Sequence, residues 1–389
     1  MNALGVRRLA AGIALGTFAC AIGLTASTGT GTAGTTALSV KAIGPGRYVR
    51  TNDGRLHIDY DLLLTNSFVG DVTLRSLTVR AGHRVLQRLD AKQFAAHTHP
   101  ILNEQTPVHR ISPSKTVEVI VDVPLRRGTR PPTHLTHRIS YRLPKHFPPN
   151  AVIDRRSVIG PRVSVDRVKP MVIPPPLRGR GWWVGGGCCD PDQRHRAVLL
   201  TNARGKLIPT EMFDIDWLQL SGERLYTGDG KKLTDYPGFG AKIHSVSGGR
   251  VTKVVNDKKE APLVGPNPDL DGPDDFGGNI VVVRVRPHRY AFYAHFQPHS
   301  IRVHVGQRVR SGQVLGLLGN SGNSAAPHLH FGIHSGPDPA TTPSLPWVFN
   351  RYRYLGSGDV TPNGDVPLKG APTRQRQTYP LNLSSLVLK

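Results

Sequence analysis

The sequence predicts an all-β protein, and three observations carry that prediction. Short segments of alternating apolar and polar residues recur along the chain, and a period of two builds half-buried strands. Glycine and proline are abundant, at 42 and 33 residues, and they punctuate those segments where turns must fall. No long stretch carries an apolar stripe at helical spacing.

Taken in order, residues 1–26 read as a signal peptide. Arg7 and Arg8 precede an apolar stretch over 9–24, closed by Thr25, Ala26 and Ser27. About 16 apolar positions fall short of the ~20 that a spanning helix needs, so a secreted or cell-wall-associated protein is expected. Cys20 lacks the leucine of a lipoprotein signal. Residues 27–40 form a Gly/Thr-rich flexible spacer.

Residues 41–172 then form a β-sandwich-like domain. The segments 56–64, 72–79 and 116–123 all alternate, with turn residues between them. No catalytic constellation occurs there, and His97 and His99 read as incidental. Residues 173–176 make a proline-rich, stiff linker. The domain of interest spans 177–355, and 356–389 is a basic tail that either packs back as one strand or stays mobile.

The net charge of +23 is spread along the chain. Specific nucleic-acid binding is not expected, because no basic–aromatic interleaving is present. An anionic cell envelope is the better partner, since positive charge raises local concentration there. A monomer is expected.

Chemistry concentrates in the later domain. GNSGNSAAPHLHF at 319–331 delivers His328 and His330 through a glycine-rich turn, and on a strand both point to one face. The segment 290–296, YAFYAHF, reads as another alternating strand, with Tyr293 and His295 on one face. Between them, 303–316 is a glycine-punctuated series of short strands. Upstream, FDIDW at 213–217 holds Asp214 and Asp216 in apolar surroundings, and His195-Arg196 precedes it. Catalytic zinc takes three ligands from His, Asp and Glu and keeps a position for water.

YAHF, then V-x-x-G-Q-x-V-x-x-G-Q-x-L-G-x-L-G, then GNSGNS-x-x-PHLHF is similar to the lysostaphin-type (LytM-like) zinc endopeptidases. Members of that family mostly cut peptide bonds in bacterial peptidoglycan. The resemblance covers 177–355 and implies an antiparallel β-sheet peptidase domain of the half-barrel type, with one Zn2+ per chain. Carried over, the metal ligands are His195, Asp216 and His330, and the catalytic pair is His328 and His295. His328 would be the general base, and His295 would stabilise the oxyanion or the departing amine.

One departure stands out. The family usually carries its first two ligands as H-x-x-x-D, whereas here residues 197–214, with a hairpin around 202–205, separate His195 from Asp216. His195 is then expected on one strand and Asp216 on the next. Asp214 is the competing carboxylate, and Asp216 is preferred for filling the I-D-W position. Tyr293 and Asn279 are expected to touch substrate, with glycines 277–278 and the 319–324 turn walling a groove. His244, His288, His299 and His304 read as structural or solvated, and His334 as a candidate substrate contact.

Cys188 and Cys189, in the glycine-rich loop before His195, could form a vicinal disulfide, remain thiols or bind zinc. The competing functions are a catalytically silent wall-binding relative, a secreted protease acting on other proteins, and a biotinyl/lipoyl-like carrier. The carrier lacks its exposed hairpin lysine.

Overall fold

The computed structural model describes residues 34–101, 106–145, 147–191 and 193–389. The residues expected to form the signal peptide, Cys20 among them, and 27–33, half of the expected spacer, lie outside the described residues. The fold is all-β, with antiparallel sheets dominating.

Two sheets face each other in the N-terminal region. One contains Leu38–Arg50, Leu56–Asn66, Thr116–Leu125 and Thr98–Pro100. The other contains Val163–Ser164, His134–Arg142, Val72–Ala81 and Arg84–Leu89. Ile58, Tyr60, Leu62, Leu64, Leu77, Val79 and Ile139 fill the space between them, and the alternation seen in the sequence sends these residues inward.

The second region is built on a sheet of eleven strands among those described. Its order is Met171–Ile173, Trp347–Ser357, Ser384–Leu388, Gly179–Gly185, Ile215–Gln219, Leu329–His334, Arg289–Phe296, Asn279–Arg286, Gly249–Val255 and Arg308–Val309. Thr373–Thr378 pairs beside Trp347–Ser357. Trp182, Trp217, Trp347, Tyr293 and Phe331 form the heart of its core.

The observed architecture moves the expected boundaries. Met171–Ile173 runs parallel to Trp347–Phe349, so a strand of the second region begins inside the span expected for the sandwich and ends in the expected linker. Within 356–389, Ser384–Leu388 packs back between Trp347–Ser357 and Gly179–Gly185, in the sheet interior. Thr373–Thr378 adds a further strand.

The two regions share polar contacts. Arg47 donates to the Ser344 carbonyl at 2.9 Å, and Asn52 donates to Ser384 Oγ at 2.9 Å.

Candidate active site

The register of three neighbouring strands assembles the centre. Asp216 pairs with His330, and His330 pairs with Ala294, so all three stand on one face of the sheet. Their neighbours Ile215, Phe331 and Tyr293 point to the opposite, core face. His328 precedes the strand Leu329–His334 by one residue and presents Nε2 at 3.3 Å from Asp216 Oδ1.

His195 arrives differently from expectation. It sits on a single 3-10 turn, Arg194–Ala197, and not on a strand, while the hairpin Leu199–Thr201/Leu207–Pro209 fills the insertion. Its Nδ1 donates to the Asp214 carbonyl at 3.2 Å, which leaves Nε2 facing Asp216 Oδ2 at 3.3 Å. His330 shows the same logic with the nitrogens exchanged. Nε2 donates to Asp214 Oδ2 at 3.1 Å, and Nδ1 lies 3.0 Å from Asp216 Oδ1.

The two carboxylates are told apart by exposure. The Asp216 side chain keeps 27% of its surface, whereas Asp214 keeps none. Asp214 is wedged behind His330 and receives a second N–H from His334 Nε2 at 2.9 Å. Gly332 makes the wedge possible, because a Cβ there would overlap the Asp214 carboxylate. His334, expected as a substrate contact, is 1% exposed and belongs to this support.

His195, Asp216 and His330 each offer one donor atom, and the three atoms lie within 4.8 Å of one another. The donor set fits zinc. Tetrahedral legs of ~2.0–2.1 Å put neighbouring ligand atoms roughly 3.3 Å apart, close to the separations Asp216 makes with both histidines. Each imidazole also gives its other nitrogen to an oxygen, the support that metal-binding histidines normally have.

Electrostatics follow from this crowding. Burial opposes charge on His195, but the Asp216 carboxylate outweighs it and lifts the imidazole to about 9. Burial likewise opposes ionising Asp216, yet the surrounding imidazoles hold it well below the usual carboxylate range. His295 goes the other way. Burial, reinforced by His328 and His330, pushes it well below the usual histidine value.

His295 is where the strand reading fails. Asn279 opposes Phe296 and Val281 opposes Tyr293, so Ala294 and His295 together face Ile280 alone, a β-bulge with His295 at φ 65°. The bulge turns His295 off the core face and places its ring 4.4 Å from that of His328. Tyr293 stays behind. It is fully buried, and its hydroxyl accepts the Val246 N–H at 2.9 Å, so it is a core residue with no access to substrate.

Asn279 is corrected in the same way. Its amide donates to the Lys258 and Phe296 carbonyls at 2.7 and 3.1 Å and accepts from the Lys258 N–H at 2.8 Å. That side chain staples loops together. Glycines 278 and 322 do not wall an open groove either. Both have positive φ and touch each other's backbone, where any Cβ would collide.

His288, His299 and His304 are exposed, as the sequence suggested. Cys188 and Cys189 are joined as a disulfide, buried in the loop before His195.

Sequence reasoning named the members of one group without its supporting role and missed a second group outright. Asp214 with His334 was legible only as a face match. The other group holds the residue after His195: Arg196, fully buried, meets Asp61 at 3.1 Å and Asp59 at 3.6 Å, both from the sandwich.

An all-β domain here gathers a His/Asp/His donor set beside two further histidines, an arrangement suited to holding a metal ion. Residues 232–342 match Peptidase family M23. The matched stretch contains His295, His328 and His330 but neither His195 nor Asp216.

A peptidoglycan DD-endopeptidase, ShyC, of Vibrio cholerae serotype O1 is 36% identical over 69 residues, 16% of this chain and 16% of that protein. The chain thus matches about a sixth of the length of this curated relative. Among solved structures, the catalytic domain of lysostaphin from Staphylococcus simulans is 18% identical, covering 42% of this chain and 86% of that one, with a TM-score of 0.23. The deep-sea M23 metalloprotease pseudoalterin is 16% identical, covering 55% and 99%, with a TM-score of 0.26. A zinc-containing peptidase from Vibrio cholerae is 14% identical, covering 79% and 86%, with a TM-score of 0.24. No residue correspondence follows at these scores.

Proposed function

We propose that this chain is a zinc-dependent endopeptidase, exported by residues 1–26, that cleaves peptide bonds in bacterial peptidoglycan. The observation that carries this reading is the convergence of His195, Asp216 and His330 beside two more histidines. In this reading His195 Nε2, an Asp216 oxygen and His330 Nδ1 hold the metal. Zinc bound there supplies a Lewis acid and a water whose pKa falls from 15.7 to about 7.

The chain's own residues do the rest. His295 Nδ1 donates to the Ser321 carbonyl at 2.6 Å, so its Nε2 carries the lone pair. A buried imidazole whose charged form is disfavoured suits a proton acceptor that passes its proton on to the departing amine. His328 Nδ1 donates to the Ala326 carbonyl at 2.8 Å, which fixes the ring with Nε2 against Asp216. With Nδ1 donating, that nitrogen likewise carries the ring's lone pair and is placed to accept a proton in the cleft. Both rings thus present an acceptor nitrogen, which agrees with the general-base role that the family resemblance suggested for His328 and adds His295 as a second proton acceptor. The chain's positive charge supports a role for the anionic envelope in holding the protein near its substrate.

The test is digestion of purified cell walls, followed as new amine termini. Wild-type protein is expected to release them, to lose activity on chelation and to regain it with zinc. His295→Ala and His328→Ala should retain zinc while losing about 100- to 10,000-fold in turnover. No cleavage of walls by zinc-replete wild type would overturn the assignment.

A further inference from the structure

We infer that Arg196 is a positioning residue through which the N-terminal sandwich holds His195 in the metal centre. The inference rests on the proposed zinc site. His195 comes from a 3-10 turn of four residues, Arg194–Ala197, with no side-chain cap. Its closing bond, from the Val198 N–H to the His195 carbonyl, is 3.4 Å long. So short an element does not stand alone. Something outside it must fix the ring.

The next residue supplies that anchor. Successive residues of a 3-10 turn point about 120° apart, so His195 faces Asp216 while Arg196 points away from the cleft. Arg196 is completely buried and lies between two carboxylates of the strand Leu56–Asn66. Its Nη2 is 3.1 Å from Asp61 Oδ1, and its Nε is 3.6 Å from Asp59 Oδ1. Asp59 and Asp61 are themselves fully buried. The strand carrying them is hydrogen-bonded on both edges, to Leu38–Arg50 and Thr116–Leu125. A guanidinium held by two carboxylates on so fixed a strand has little freedom. One peptide bond then passes that order to His195.

The sandwich is therefore part of the metal centre and not a detachable accessory. In most metal sites the support for a ligand is a hydrogen bond to its far nitrogen. Here a second support acts through the backbone, from another region of the chain.

The experiment measures zinc affinity of the full chain by competition with a chromophoric chelator. Wild type and His195→Ala set the range. Asp61→Asn and Arg196→Lys, which preserve volume or charge, are expected to weaken zinc about 10- to 100-fold, as loss of a supporting partner does. Arg196→Lys should be the milder, because it keeps one ion pair. Leu77→Ala, a core truncation in the opposite sheet, should lower the melting temperature and leave zinc affinity unchanged.

Wild-type affinity in folded Asp61→Asn and Arg196→Lys overturns the inference. So does an equal loss in Leu77→Ala, which would show that any destabilisation acts on the metal. Failure of wild type itself to bind zinc, or binding that survives in His195→Ala, overturns the metal assignment and this inference with it.

Discussion

Two places in this molecule carry nearly the same three residues, Asp59-Tyr60-Asp61 and Asp214-Ile215-Asp216. In both, the middle residue packs into a hydrophobic core and the carboxylates flank it. At the first, both acids are sealed and share a guanidinium, which stays charged at any accessible pH. At the second, one acid is sealed and the other opens on a cleft, and the partners are imidazoles, which can shed a proton and offer a lone pair. Spacing and burial do not make a carboxylate pair a reactive centre. The partner's chemistry and one exposed oxygen do.

The comparison can be broken most severely at the sealed pair. Arg196→Ala leaves Asp59 and Asp61 without their cation and is expected to cost about 3–5 kcal/mol of stability, the usual penalty for orphaning a buried charge. Chemical denaturation measures it, and a loss below about 1 kcal/mol would mean water reaches the cluster.

A pH series gives the next largest effect. Burial opposes charge on His57, but the hydrogen bonds from its ring to Asp122 and Asp53 prevail and lift it to about 10. Its folded value lies above the unfolded value of ~6.5, so the stabilisation is complete below that pH and disappears as pH climbs toward 10. Unfolding free energy should fall between pH 7 and 10 by roughly 2–4 kcal/mol more in wild type than in His57→Gln. Parallel curves for the two proteins would refute the assignment.

At the open pair, Asp214→Asn keeps the shape while weakening the acceptor behind His330. Zinc affinity should drop about 10- to 100-fold, as for other supporting groups, with the fold intact by circular dichroism. An undiminished affinity would show that Asp214 serves packing alone. The smallest change is expected from Tyr293→Phe. It removes one buried hydrogen bond, worth ~1 kcal/mol, and should leave turnover on cell walls untouched. A large fall in turnover would return Tyr293 to the site.

Much of this was legible in the sequence, for a definite reason. His328, His330 and Asp216 follow the period of two, and register between neighbouring strands did the rest. Tyr293 and His295 misled because a bulge breaks that period at a single residue, and nothing local in YAFYAHF announces it. Asn279 misled because amide side chains look alike in sequence whether they meet substrate or staple loops. The sealed pair was invisible for another reason. Arg196 and its acids lie 135 and 137 positions apart, and no spacing rule links them.

The strand Ser384–Leu388 lies between Trp347–Ser357 and Gly179–Gly185, deep inside the catalytic sheet. The ribosome delivers those residues about two hundred positions after the strand they join. Until then, Gly179–Gly185 has an unpaired edge, and the sheet stays divided. Closure of such long-range pairings is slow, and exposed edges in the waiting chain invite misassembly. The geometry thus acts as a timer. The sheet becomes whole only after residue 388 has been made, so the face that carries the histidines is completed last.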